Sequence, residues 1–256
     1  MRVVFSRKGL DSSPQGGRGV SPIVAGRPVS IPIPTRHRPS RTTYGDLELG
    51  DLVTQATRGR LNGSSFCHHD PMFEGDRCAF GQTGSAQSHL ANNGVGVGDV
   101  FLFFGLFDSR AGTDRHHRIF GYLRVEEVIA AGSRPGLDDR LRGFSQQHPH
   151  TIGDWPPNNT IYVGPGATAV TAGRTLRLSM GGGPVSRWSV PPWLRRAGLT
   201  YHANAERWGP DHSLNAVARG QEFVSDISGV AGAAPWLDRV LAAIAGAGDA
   251  PGAAGG

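Results

Sequence analysis

The sequence predicts an α+β fold: a strand-rich mixed sheet with long loops and two C-terminal helices. Three observations predict it. The run VFLFF at residues 100–104, entered by a Gly-Asp turn, is the longest apolar stretch and is strand-sized. The 38 glycines and 18 prolines make up about a fifth of the chain, which favours short strands joined by long turns. Helical periodicity is clear only toward the C-terminus.

Taken in order, residues 2–5 read as a buried first strand. Residues 28–34, PVSIPIP, read as an extended edge segment, because proline cannot donate to a ladder. Residues 35–65 are polar and irregular, with one short helix. Residues 84–93, GSAQSHLANN, form a second short helix that ends in Asn-Asn-Gly. Residues 94–107 and 118–129 pair as a hairpin across the polar loop 108–117. Residues 159–163 and 174–180 are further strands. Residues 211–227 read as a helix despite Gly220, with Leu214, Val217 and Val224 on one face and Arg219, Glu222 and Asp226 opposite. Residues 235–248 are the last helix, with Pro235 in its first turn and Trp236 in its apolar stripe. Without a linker or a repeat, residues 1–246 read as one domain and 247–256 as a disordered tail.

Composition narrows the classes of function. The net charge is +5 and the pI about 9.9, which permits a nucleotide, nucleic-acid or acidic partner. The two cysteines, Cys67 and Cys78, form no CxxC pair, so a zinc ribbon is excluded and a reduced, cytoplasmic protein is expected. Three apolar residues before Ser6 are too few for a signal-peptide core. No apolar run approaches the ~20 residues of a membrane helix, so no membrane partner is expected.

Lys8 is the only lysine; the other 25 of the 26 basic residues are arginine. It lies in the turn Ser6-Arg7-Lys8-Gly9, followed by Asp11 and Ser12. A Ser/Gly-rich turn after a strand exposes N–H groups and hydroxyls, and with Lys and Arg beside it can hold a phosphate. It is not a Walker A loop, since the lysine precedes the glycines. The alternative is a basic surface turn.

Cys67-His68-His69-Asp70 holds metal-ligand residue types, but adjacent residues cannot all point at one ion. A site would need distant help from Cys78, His89, His148 or His150. No metal is assigned. His68 with Asp70 as orienter is a proton-transfer pair, or the loop is braced by their hydrogen bonds. His148-Pro149-His150 reads as a solvated loop, and residues 115–118, RHHR, as part of a charged hairpin tip. Gln221 projects near the apolar face of its helix, where it braces a loop or faces a pocket. Trp188 and Trp193 pin a long loop in preference to stacking bases.

The opening FSRKGLDSS and SPI resemble the start of a small bacterial and phage family, the nucleotide modification associated domain of the third type. The resemblance also takes in CHHDP, FGQTGSAQSHL, GVGVGDVFLFFGLF, RIFGYLRV, HPH, NTIYV, LTYH and ARGQEFV, in order over roughly residues 1–240. It implies a role in nucleotide or DNA modification. Polar positions carried over are Ser6, Arg7, Lys8, Asp11, Ser12, Cys67, His68, Asp70, Gln82, His89, Arg219, Gln221 and Glu222. His69 falls at a variable position, which argues against a Cys-His-His cluster. The arginine-rich insert around 36–41 is peculiar to this chain. A second, local similarity of the 94–125 hairpin is to PUA-like barrels, including ASCH and EVE domains, which bind RNA or modified bases.

The resulting expectation is a nucleotide or nucleic-acid base modification protein, with DNA favoured over RNA and no cofactor assigned. Lys8, His68, Asp70 and Glu222 are the catalytic candidates. Ser6, Arg7, Asp11, Ser12, Gln82, His89, Arg219 and Gln221 are the substrate-binding candidates. The alternative is a non-catalytic PUA-like reader of a modified base.

Overall fold

Strand β1 (Arg2–Arg7) opens the chain and is followed by β2 (Ser21–Val24), β3 (Arg27–Pro28), β4 (Ile33–Pro34) and helix α1 (Gly50–Thr57). Then come β5 (Cys67–His68), β6 (Met72–Glu74), β7 (Arg77–Gln82), α2 (Gly84–Asn92), β8 (Val100–Asp108), β9 (Arg115–Arg124) and β10 (Glu127–Ala130). The last elements are β11 (Thr160–Thr168), β12 (Arg187–Ser189), α3 (Pro192–Ala197), β13 (Ser213–Asn215), β14 (Glu222–Asp226) and α4 (Ala233–Ile244). The computed structural model describes residues 1–12, 19–35, 40–109, 113–218 and 222–247. The expected tail lies outside these except for Ala247, as do Arg219 and Gln221.

The main sheet runs β14-β1-β8-β9-β11-β7-β6 and is mixed. β8 lies parallel to β1 and antiparallel to β9. A strand covered on both faces needs apolar residues at consecutive positions, which is why Val100–Phe104 reads as an unbroken run. Alternation along β1 sends Val3 and Phe5 to one face and Val4 to the other. On the first face they meet Trp188, Trp193 and the α4 residues Leu237, Val240 and Ile244. On the second, Val4 joins Phe80, Phe101, Phe103, Tyr162 and Val224.

That second core spans nearly the whole sheet. β14 and β7 are five steps apart in strand order, which in a flat sheet would separate them by about 24 Å. Yet Gln82 of β7 donates to Glu222 of β14 at 2.7 Å. The sheet therefore curls around the aromatic core until its ends approach. It does not close: no ladder joins β7 to β14 among the described residues, so the barrel form of the expectation is not adopted.

The hairpin, the 84–93 helix and the last helix form where expected, as β8/β9, α2 and α4. Residues 211–227 are not a helix. Ser213–Asn215 pairs with β12, and Glu222–Asp226 pairs with β1. Phe223 and Val224 go to opposite cores, a period-two pattern that pairing with β1 imposes over the helical spacing. The chain thus ends in one long helix, not two. Residues 174–180 are not a strand either: Arg174–Leu176 is a 3-10 turn, followed by isolated bridges at Arg177 and Ser179. Among the described residues no helix is long and apolar enough to cross a membrane.

Candidate functional site

Two polar clusters lie on opposite faces of β7, one residue apart in register. The first is at the mouth of the curled sheet. Ser6 and Glu222 are cross-strand partners on β1 and β14. Beyond the end of β1, the Lys8 N–H donates to Phe104 O at 2.7 Å. Gly105 allows this approach, since a Cβ there would lie 2.5 Å from the Lys8 carbonyl oxygen. Lys8 Nζ reaches Glu222 Oε1 at 3.1 Å and lies 4.2 Å above the Phe80 ring centroid. Gln82 Nε2 donates to the same Oε1, and its own Oε1 accepts the Thr83 N–H. Glu222 Oε2 and Ser6 Oγ are buried and have no hydrogen-bond partner among the described residues.

His89 of α2 borders this mouth. Its ring lies 4.6 Å from that of Tyr201, and its Nε2 is 3.1 Å from Thr200 Oγ1. Burial lowers the His89 pKa, with the Glu222 charge opposing. Tyr201 is half exposed and has φ 65°, a conformation rare for an aromatic residue.

Arg7, Asp11 and Ser12 of the N-terminal turn are engaged by other protein groups. Arg7 pairs with Asp11 at 2.7 Å, and Asp11 also accepts the Leu106 N–H. Burial raises the Asp11 carboxyl, and Arg7 opposes this. Ser12 Oγ donates to Gly9 O.

The second cluster surrounds Asp70. Its Oδ1 accepts the Gly81 N–H at 2.9 Å and faces His148 Nε2 at 3.4 Å. Its Oδ2 faces His68 Nε2 at 3.6 Å and His150 Nε2 at 3.7 Å. Burial alone would raise this carboxyl; His148, His68 and His150 outweigh it and hold the group well below the usual range. Gly81 makes the packing feasible, because a Cβ there would lie 2.4 Å from the His150 ring and 2.9 Å from His148. Trp155 stacks on His150 with centroids 4.1 Å apart.

The expected candidates thus divide. Lys8, Ser6, Gln82, Glu222 and His89 gather at the mouth, and His68 and Asp70 sit across β7. Sequence reasoning placed His148 and His150 in a solvated loop; both are 2% exposed, because they pack on the bare Cα of Gly81. Nor is 115–118 a charged tip: His116, His117 and Arg118 are buried in β9. Asn159 and Trp155 were missed as site residues. Neither cysteine is a thiolate candidate: burial, aided by Asp46, pushes Cys67 up to about 12, and burial, aided by Asp70, raises Cys78 well above its ordinary value. A separate cleft of about 1050 Å³ between α1 and the β8–β9 hairpin includes Arg58, Arg60 and Arg115, and none of the candidates.

A model of the nucleotide modification associated domain 3 family matches residues 2–226, which takes in both clusters. The chain belongs to that family. No curated protein and no solved structure matches the chain. For this nucleotide modification associated domain, membership agrees with the block-by-block resemblance in the sequence.

Proposed function

We propose that this protein binds a nucleotide at the mouth of the curled sheet and takes part in modification of its base. The nucleotide is free or part of a strand, with DNA the favoured polymer. One observation carries the reading: Glu222 Oε2 and Ser6 Oγ, beside Gln82 and Lys8, are buried without a hydrogen-bond partner among the described residues. An unmet buried polar group costs about 1–3 kcal/mol. Amino and imino groups on a base edge are donors that a carboxylate accepts.

Tyr201 against His89 offers a stacking surface on the outer side of β14. Arg7 is held by Asp11, whereas Lys8 pairs with Glu222 at the mouth itself, and its ammonium has further donors to offer a phosphate. Family membership supports the same ligand class.

The test is calorimetric titration of nucleoside mono- and triphosphates, and of single- and double-stranded DNA and RNA, into wild type, Glu222→Gln and Lys8→Ala. At least one ligand is expected to bind wild type, and to bind folded Glu222→Gln at least an order of magnitude more weakly. Loss in Lys8→Ala of the preference for phosphorylated over unphosphorylated ligand would assign the phosphate to Lys8. Absence of binding by every ligand, or equal affinity in Glu222→Gln, would overturn the reading.

A further inference from the structure

We propose that His68, Asp70 and His150 form a binding site for a divalent first-row transition ion. The site lies across β7 from the mouth and does not depend on the nucleotide reading.

The hydrogen bonds around the cluster fix which ring nitrogens of His150 and His148 carry protons. Asn159 Nδ2 donates to Gly132 O and His150 O, so its Oδ1 accepts. The atom that meets this Oδ1, at 2.6 Å, is His150 Nδ1. Nδ1 therefore bears the hydrogen, and in the neutral ring Nε2 presents a lone pair. That lone pair faces Asp70 Oδ2 at 3.7 Å. His68 Nε2 faces the same oxygen at 3.6 Å.

His148 plays a different part. Its Nδ1 accepts the His150 N–H at 3.2 Å, so its hydrogen is on Nε2, toward Asp70 Oδ1. Oδ1 also takes the Gly81 N–H. One carboxylate oxygen is thus engaged by the protein, and the other is left facing two imidazole nitrogens.

The spacing suits an ion better than hydrogen bonds. An N–H···O bond spans about 2.7–3.2 Å. Ligand atoms about 2.1 Å from a common ion lie roughly 3–3.5 Å apart along a coordination edge. The three ligand atoms all lie within 4.8 Å of one another. Their side chains are 11%, 5% and 3% exposed, so the carboxylate charge lies in a dry site that a cation would compensate. Two imidazoles with one carboxylate favour Zn²⁺, Fe²⁺ or Mn²⁺ over Ca²⁺, and three protein ligands leave positions open. The Asn159 bond to His150 is the kind of outer support that orients a ligating histidine.

The test begins with elemental analysis of the full chain as purified. The protein is then stripped with chelator and titrated with Co²⁺ by visible spectroscopy, and with Zn²⁺, Mn²⁺ and anaerobic Fe²⁺ by calorimetry. One ion per chain is expected, with Co²⁺ ligand-field bands that His68→Ala abolishes or shifts. Affinity is expected to fall at least an order of magnitude in His68→Ala and in Asp70→Asn. Asp70→Asn keeps an acceptor for Gly81; should it fail to fold, the more exposed His68→Ala decides. Failure of all four ions to bind, or unchanged affinity and spectrum in folded His68→Ala, would overturn the assignment.

Discussion

Gln82 Nε2 and Lys8 Nζ converge on one oxygen of Glu222, at 2.7 Å and 3.1 Å. Gln82 and Glu222 are 140 positions apart in sequence, and their bond ties β7 to the edge strand β14. The charge pair is nearly buried, with side-chain exposures of 11% for Lys8 and 1% for Glu222. Removing one partner of such a pair leaves the other uncompensated. Glu222→Gln is therefore expected to destabilise the protein by about 2–4 kcal/mol, below the top of the range for fully buried pairs because Lys8 retains some solvent. Lys8→Met added to Glu222→Gln should recover most of that loss. Urea unfolding of both single variants and the double variant measures the coupling. Additive losses would show that the two charges act independently.

The lone lysine has a steric reason in this geometry. Its ammonium fits between the Phe80 ring and the Glu222 carboxylate. A guanidinium is planar and wider, and Phe80 is fully buried. Lys8→Arg is expected to lose about 1 kcal/mol of stability, comparable with the cation–π contact it disturbs. Unchanged urea midpoint and nucleotide affinity in Lys8→Arg would mean that charge alone matters there.

Gly81→Ala tests the packing beneath the histidines. The added methyl would overlap the His150 ring at 2.4 Å and His148 at 2.9 Å. Both rings are buried, and Asn159 and Trp155 fix His150. A loss of about 1–3 kcal/mol is expected, as for other overpacked cores. The His150 ring resonances in an NMR spectrum should shift while those of His117, in the core on the other side of the sheet, stay in place. Unaltered stability and spectra would mean that the cluster yields without cost.

Much of the fold was legible because its elements carry local signals. Val100–Phe104 is apolar at every position, as a strand buried on both faces requires. α4 shows its stripe in Leu237, Val240 and Ile244. Residues 211–227 misled because Leu214, Val217 and Val224 match a helical face, while distant strands decide the pairing: β12 takes Leu214, and β1, more than 200 positions away, takes Val224. The mouth was legible only residue by residue. Lys8, Gln82 and Glu222 share no local spacing, and the curl that joins them comes from packing of Phe80, Phe101, Phe103 and Tyr162. The histidine cluster was hidden more deeply. A polar HPH segment resembles solvated loop, and its burial depends on a side chain that Gly81 lacks and on a ring supplied by Trp155.

His117 gives the fold a pH dependence of defined sign. Its Nδ1 accepts the Trp188 Nε1–H at 3.0 Å in the core beneath α3 and α4. Burial first, then the charges of Arg7 and His116, lower its pKa from 6.5 to about 3. Between these values the unfolded chain takes up a proton that the native protein refuses. Stability therefore falls as pH drops through this window, by about 1.4 kcal/mol per pH unit for one such group. His69 and His150, held near 4 and 3 chiefly by burial, act in the same direction. His117→Gln keeps an acceptor for Trp188 and removes the titrating group. Urea midpoints measured from about pH 7 to about pH 4 should fall steeply in wild type and less steeply in the variant. Equal slopes would show that His117 takes up no additional proton on unfolding, and the acid sensitivity would then rest with the histidines around Asp70.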